Sequence, residues 1–312
     1  MGLTARRLGN AVSMEARARI RALAPYPAIE SWLNPLTRGL ARHFSNQAFA
    51  KTLEQIDFAY RLSDADIGGV PCIVYETDNK TPGAPRLLYL HGGGMVSGSS
   101  RINASMILPA CHLAGVEAVG VDYALVPEAR YPTQINQIDA VYKAMRAERP
   151  HERIVLFGDS IGGGLALSCL LKWRAEGTPL PIAVVLVSPA VDAKGASDTY
   201  VTIDARDPLF GANASRGCRK LFGLYADGAD IADPLISPIY GDLAGLPPML
   251  IHAGTREVLL GDAARLNEKA RKAGCDVTLR VFDGMFHLFQ MYWSLSEAKT
   301  AQSDIADFIR RF

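Results

Sequence analysis

The chain has no charge of one sign in excess: 33 lysines and arginines stand against 32 aspartates and glutamates. That balance leaves no global field to draw in nucleic acid or an anionic membrane, and a small neutral ligand fits it better. No stretch reaches the roughly 18 uncharged apolar residues that a membrane-spanning helix requires. The first 28 positions are charged throughout and lack the roughly 7 to 15 apolar residues of a signal-peptide core, so a cytoplasmic location is expected. Cysteine is scarce. Cys72, Cys111, Cys169, Cys218 and Cys275 are an odd number without C-x-x-C spacing, which points to buried free thiols in a reducing compartment. What is present is ordinary: 49% hydrophobic and 21% charged residues, the composition of a globular protein with a sizeable core.

The pattern changes along the chain. Positions 14–23 and 29–53 show helical spacing broken at Pro25, Pro27 and Pro35, so residues 1–50 are expected to form a separate helical segment before any strand. Positions 60–77 alternate and carry β-branched residues on both sides of Gly68-Gly69, the signature of an antiparallel pair. From Pro85 onward, short apolar runs at 87–90, 118–121, 154–157, 182–187, 249–252 and 277–282 alternate with helical stretches at 104–114, 134–148, 162–175, 258–273 and 292–312. Strand and helix in this rhythm predict an α/β fold, with a mostly parallel central sheet covered on both faces, over residues 51–312. Residues 199–229 interrupt the rhythm and are a candidate excursion above the sheet. The run at 277–282 is a candidate edge strand, through which a homodimer could pair.

One of the buried runs ends in Gly158-Asp159-Ser160-Ile161-Gly162. The match to G-x-S-x-G arises by chance about one time in seven in a chain of this composition, so it needs company. Its setting, after a strand and before a helix, is that of a nucleophile elbow, with Gly158 and Gly162 letting strand and helix approach. The segment lacks the Gly-Lys-Ser/Thr of a phosphate-binding loop and the G-x-G-x-x-G fingerprint. A second run leads into His91-Gly92-Gly93-Gly94. Three consecutive glycines are conformationally costly, and they make sense where backbone N–H groups must meet a developing negative charge. The glycine loop and the Ile161 N–H are the candidate oxyanion donors, with His91, Gly92 and Asp159 as supporting neighbours.

A serine hydroxyl needs a base. His43 and His151 lie in charged or helical surroundings, His112 lies on an apolar helix, His252 inside a strand run and His91 in the glycine loop. His287 follows the last strand in FDGMFHLFQMY, where an α/β-hydrolase places its base. The acid should follow the preceding strand in LPPMLIHAGTREVLLGDA. Glu257 is the first candidate and Asp262 its rival, while Asp233 precedes the strand. Glu257 has a competing role as a helix N-terminal charge, worth about 0.3 to 1 kcal/mol.

These motifs together, HGGG at 91–94, DYALVPEARYP at 122–132, GDSIGG at 158–163, DPLISP at 233–238, LPPMLIHAGTREVLL at 246–260 and GMFHLFQ at 284–290, resemble the hormone-sensitive-lipase family of α/β-hydrolase esterases over residues 85–312. The resemblance implies Ser160 as nucleophile, His287 as base and Glu257 as its orienting acid, since the family's acid stands about thirty residues before its histidine, with N–H donors from Gly93, Gly94 and Ile161. It also implies that the N-terminal helices cap the site, with 199–229 as a possible second cap insertion. Two positions depart from the family pattern: Ile161, where Ala or Gly is usual, and Ala124, where Arg is usual.

The implied reaction is hydrolysis of short to medium acyl esters through an acyl-enzyme, with no metal or organic cofactor. Amide or thioester hydrolysis would use the same residues. A non-catalytic ligand-binding relative would lack a working histidine, which this chain retains. Met95, Val96, Phe210, Leu221, Phe222, Phe286 and Phe289 are the apolar candidates for a substrate pocket.

Overall fold

Apolar runs too short for helices build the centre of one nine-stranded sheet in a computed structural model that describes residues 6–8, 12–28, 31, 32, 34–203, 206–211 and 214–312. The strands are β1 (Arg6–Leu8), β2 (Tyr60–Ile67), β3 (Val70–Thr77), β4 (Arg86–Leu90), β5 (Ala118–Val121), β6 (Ile154–Asp159), β7 (Ala183–Val187), β8 (Met249–Gly254) and β9 (Val277–Phe282). Their order is β1-β9-β8-β7-β6-β4-β5-β3-β2. The pairings that involve β3 are antiparallel and the others parallel. β4, β6, β7 and β8 are buried along their whole length, as a parallel sheet covered on both faces requires.

In chain order, the helices are α1 (Met14–Ala22), α2 (Pro35–Leu53), α3 (Ala104–Ala114), α4 (Thr133–Glu148), α5 (Ile161–Ala175), α6 (Thr199–Thr202), α7 (Ala214–Ala226), α8 (Leu260–Lys272) and α9 (Ser296–Ile309). Alternate residues of a strand face opposite ways, and the core divides accordingly. Leu88, Leu90 and Leu156 pack with α4, α5 and α8, whereas Leu87, Tyr89, Val155 and Phe157 pack with α3 and α9. Each such side chain contributes about 1.5 to 3 kcal/mol of gross burial energy.

The expected strands fall within a few residues of the observed ones, with two corrections. First, a strand precedes the N-terminal helices: β1 pairs in parallel with β9. The run at 277–282 is therefore not an edge, and the pairing route to a homodimer through it is blocked by the chain's own N-terminus. Second, the helix expected over 292–312 begins at Ser296, because Leu295 just before it is extended, with φ −82° and ψ 136°; Phe289–Met291 forms a separate 3-10 turn. Positions 1–5, 9–11, 29, 30 and 33 of the N-terminal segment, and 204, 205, 212 and 213 of the excursion, lie outside the described residues. The described part of the N-terminus is tied down at several points. Ser13 caps α1 by accepting from the Ala16 N–H, and its own N–H donates to Glu297 Oε1 of α9 at 2.8 Å.

Cys72, Cys111 and Cys169 are buried free thiols, while Cys218 and Cys275 are half-buried. No helix among the described residues is long and apolar enough to cross a membrane.

After the antiparallel pair β2 and β3, β4 is the first strand of the central parallel run. β5 adds to one side of it and β6 to the other, so the connections leave in opposite directions at β4/β6 and open a crevice beyond their carboxyl ends. The glycine loop leaves β4 there, and Ser160 leaves β6.

Candidate active site

Ser160 adopts φ 54°, ψ −121° at the junction of β6 and α5. A non-glycine residue held there costs about 1 to 3 kcal/mol, and its surroundings hold it in place. Its N–H donates to the Val187 carbonyl at 2.8 Å, and its own carbonyl accepts from Gly163 at 3.1 Å and Ala190 at 3.0 Å. The two glycines of the elbow are set by space. A Cβ on Gly162 would stand 2.0 Å from the Leu90 carbonyl oxygen, and one on Gly158 would stand 2.4 Å from that of Gly162. Strand β4 and helix α5 touch backbone to backbone, and the turn between β6 and α5 lifts the Ser160 hydroxyl into the crevice.

The glycine loop is fixed as firmly. Gly93 has φ 109°, and a Cβ there would stand 2.1 Å from the Ser97 carbonyl oxygen. The Gly93 carbonyl accepts from the N–H groups of Val96 and Ser97, both at 3.1 Å. Arg42 of α2 reaches in from outside: its Nε donates to the Val96 carbonyl at 2.6 Å while its other nitrogens hold Glu128. His91 stacks on Tyr123 with ring centres 4.3 Å apart, and the Tyr123 hydroxyl donates to the His91 carbonyl at 2.5 Å. Tyr89 OH donates to Asp159 at 2.7 Å, and burial lifts that carboxyl to about 6. Among the described residues, the N–H groups of Gly93, Gly94 and Ile161 have no acceptor, and that of Ile161 opens α5 at the positive end of its dipole.

His287 follows β9 in the loop before the 3-10 turn. Its Nε2 lies 3.1 Å from Ser160 Oγ, and its Nδ1 lies 2.7 Å from Glu257 Oε2. The other carboxylate oxygen, Oε1, accepts from Ser188 Oγ at 3.0 Å and the Gly254 N–H at 2.6 Å. Donors on both oxygens leave the carboxylate one orientation. Glu257 and His287 are 0% and 1% exposed and Ser160 7%, so Glu257 is buried behind a line whose outer members, His287 and Ser160, border the cavity.

Asp262 is not in that line. It accepts from the Val191 N–H at 3.1 Å and from Ser197 Oγ at 2.5 Å, and burial pushes its carboxyl up to about 7. Asp233 caps a turn through the Leu235 N–H at 2.8 Å. His43 and His151 are exposed, His112 stacks on Phe58, and His252 Nε2 meets Asp304 Oδ2 at 2.9 Å. Each of these histidines is turned away from Ser160. Ala124, the other departure from the expected pattern, is held by its backbone, its N–H donating to Gln137 and its carbonyl accepting from Gln134, both at 2.8 Å.

A cavity of about 410 Å³ lies over Ser160, Ile161, Gly93, Gly94 and His287. Met95, Val96, Phe210, Leu221 and Phe222 line it as expected, while Phe286 and Phe289 do not. These two are fully buried against Phe282, Leu295 and Ala298, since the turn carrying His287 folds its apolar residues back under α9. Tyr26, Trp32 and Phe49 from the N-terminal segment complete the apolar wall. Among the described residues, no group of three or more His, Cys, Asp or Glu side chains is placed to hold a metal ion.

Two contributors were missed by the sequence reading. Ser188 has φ 49° and donates to Glu257; its signal is a serine before Pro189 directly after a buried apolar run. Asp207 accepts the N–H groups of Leu209, Phe210 and Val258 at 2.9 to 3.1 Å. It thereby fixes Phe210, whose ring meets His287 edge-on at 5.0 Å.

A family model described as alpha/beta hydrolase fold matches residues 87–291. An acetyl-hydrolase of Streptomyces hygroscopicus is 36% identical over 72% of this chain and 75% of its own length. An esterase of Acinetobacter venetianus is 33% identical over 71% of this chain and 73% of its own. Among solved structures, an esterase from the bacterial hormone-sensitive lipase family superposes with a TM-score of 0.85 at 32% identity, over 97% of this chain and 99% of that one. A hormone-sensitive lipase from a metagenome library gives 0.82 at 33% identity over 96% and 99%.

Proposed function

The chain belongs to the hormone-sensitive-lipase family of α/β hydrolases and is a carboxylesterase, and from that premise we propose that it cleaves short to medium acyl esters through an acyl-enzyme on Ser160. The observation that carries this reading is the continuous line Ser160 Oγ, His287 Nε2, His287 Nδ1, Glu257 Oε2, at 3.1 and 2.7 Å, opening into an apolar cavity.

His287 takes the Ser160 proton at Nε2 as Oγ attacks the ester carbon, then returns it to the leaving alcohol. Water repeats the sequence on the acyl-enzyme. Glu257 keeps the Nδ1 proton in place and stabilises the imidazolium that forms at each step. The N–H groups of Gly93, Gly94 and Ile161 take the oxyanion. Each such donor is worth about 2.7 to 4 kcal/mol in the transition state, and their lack of acceptors among the described residues supports this role. The lining contributed by Tyr26, Trp32 and Phe49 supports reading the N-terminal segment as a cap, with 199–229 as a second one.

Ile161 sets chain length. Its backbone supplies a donor while its side chain occupies cavity space that Ala or Gly would leave open. With 4-nitrophenyl esters of increasing length, kcat/KM should peak at short acyl chains. In Ile161→Ala the peak should move to longer chains, each added buried methylene being worth about 0.8 kcal/mol, or roughly fourfold. A profile that stays put in Ile161→Ala removes Ile161 as the determinant, and a wild-type maximum on long chains contradicts the short-acyl reading.

A further inference from the structure

The cavity over Ser160 is walled almost entirely by apolar side chains and glycine backbone, yet Arg216 of α7 stands in that wall. It is exposed to solvent, and among the described residues no carboxylate pairs with it. Several other exposed arginines of the molecule are paired: Arg61 with Glu76, Arg101 with Asp64, Arg149 with Glu152 and Arg310 with Asp307. Among the described residues, no Asp or Glu lines the cavity. The carboxylates behind it are already used, Glu257 by His287, Ser188 and Gly254, and Asp207 by three backbone N–H groups. Helix α7, ASRGCRKLFGLYA, contains no acid at all.

The position of Arg216 gives a length scale. Leu221, on the same helix, comes so close to the glycine loop that a Cβ on Gly94 would stand 3.1 Å from its Cδ2. Arg216 is five residues earlier, about 7.5 Å along the helix axis. An anionic group several bonds from the ester carbon would therefore meet the guanidinium while the carbonyl sits at the glycine loop. A guanidinium at the rim of a low-dielectric cavity also focuses anions toward it, and its planar fork matches a carboxylate.

We propose that Arg216 makes this esterase selective for esters that carry a second, ionised carboxylate, the half-esters of short dicarboxylic acids. The inference rests on the ester-hydrolase reading of the same site. The apolar wall takes the methylenes between the two carbonyl groups, and Arg216 takes the free carboxylate at the rim.

The test compares ethanol release from monoethyl glutarate and ethyl pentanoate, which have equal chain lengths, in the wild type and in Arg216→Lys, Arg216→Gln and Arg216→Glu. The ratio of the two kcat/KM values cancels any loss of folded enzyme. It should fall about three- to fivefold in Arg216→Gln, as expected for a partly hydrated ion pair. It should fall further in Arg216→Glu and be largely kept in Arg216→Lys. The change should lie in KM, and the wild-type ratio should shrink as salt is raised. A ratio that is the same in all four proteins, with ethyl pentanoate still turned over by the wild type, overturns the role of Arg216 alone. A wild type that hydrolyses neither ester overturns the ester-hydrolase reading and this inference with it.

Discussion

Alanine at position 160 should lower kcat/KM for a short acyl ester by about four to six orders of magnitude, the scale seen when a nucleophile is removed from a serine–histidine–acid relay. The change deletes one oxygen. Ser160 Oγ has His287 Nε2 as its partner at 3.1 Å, and the bonds that hold residue 160 in its strained conformation come from its backbone, to Val187, Gly163 and Ala190. Alanine keeps those bonds and the Cβ, so thermal unfolding of the variant should track the wild type. Substrate should still bind, because the cavity wall is unchanged. The check is steady-state kinetics alongside a melting curve, and undiminished turnover in a folded variant would remove Ser160 from the chemistry.

The second large effect separates two carboxylates five residues apart. In Glu257→Gln an amide NH2 can face His287 Nδ1–H, donor against donor, and the ring then loses the tautomer that leaves Nε2 free to accept. A loss of about three to four orders of magnitude in kcat follows, as in other relays whose acid is made an amide. Asp262→Asn should leave kcat within a few-fold of the wild type, because Asp262 holds Val191 and Ser197 rather than His287.

Asp262→Asn should instead act on stability, with a sign that can be worked out. Burial raises the Asp262 carboxyl from 3.8 in its ordinary state to about 7 in the fold. A carboxyl raised on folding stabilises the native state below its unfolded pKa, and that contribution is lost as pH rises through the folded value. The wild type therefore loses stability through this group between about pH 4 and 7, and asparagine does not titrate. The melting temperature of Asp262→Asn relative to the wild type should climb between about pH 4 and 7 and level off above that. A constant difference would show that Asp262 does not titrate in this range. Loss of activity in Asp262→Asn, with Glu257→Gln active, would exchange their roles.

The centre of the sheet was legible because β4 to β8 are buried on both faces. Runs such as VVLV and IVLF have no polar alternation to confuse with a surface, and each ends in a turn whose glycines or proline mark where the chain leaves the sheet. Ser160 and the glycine loop were legible for the same reason, since each directly follows one of those runs, and His287 because it lies in the loop after the last strand. Residues 6–8 were not, because three residues with two arginines carry no strand period, and only the partner β9 makes them a strand. Phe286 and Phe289 were assigned to the wrong side because they lie in a turn, where neither the period of 2 nor that of 3.6 says which way an apolar side chain points. Tyr26, Trp32 and Phe49 reach the cavity only through the folding back of the N-terminal segment, which no local pattern encodes. Ser188 belongs to Glu257 through a contact across 69 residues, and Arg216 reads in sequence as one more cation on an amphipathic helix.

The most direct measurement is mass spectrometry of the enzyme quenched in acid during turnover of 4-nitrophenyl acetate, followed by peptide mapping. The relay from Glu257 through His287 to Ser160 predicts one acetyl group on the peptide that carries Ser160, formed with the first burst of 4-nitrophenol and absent from Ser160→Ala. An acetyl group that turns over on a different residue, such as Cys218 in the same cavity wall, would contradict it, as would turnover by Ser160→Ala at the wild-type rate.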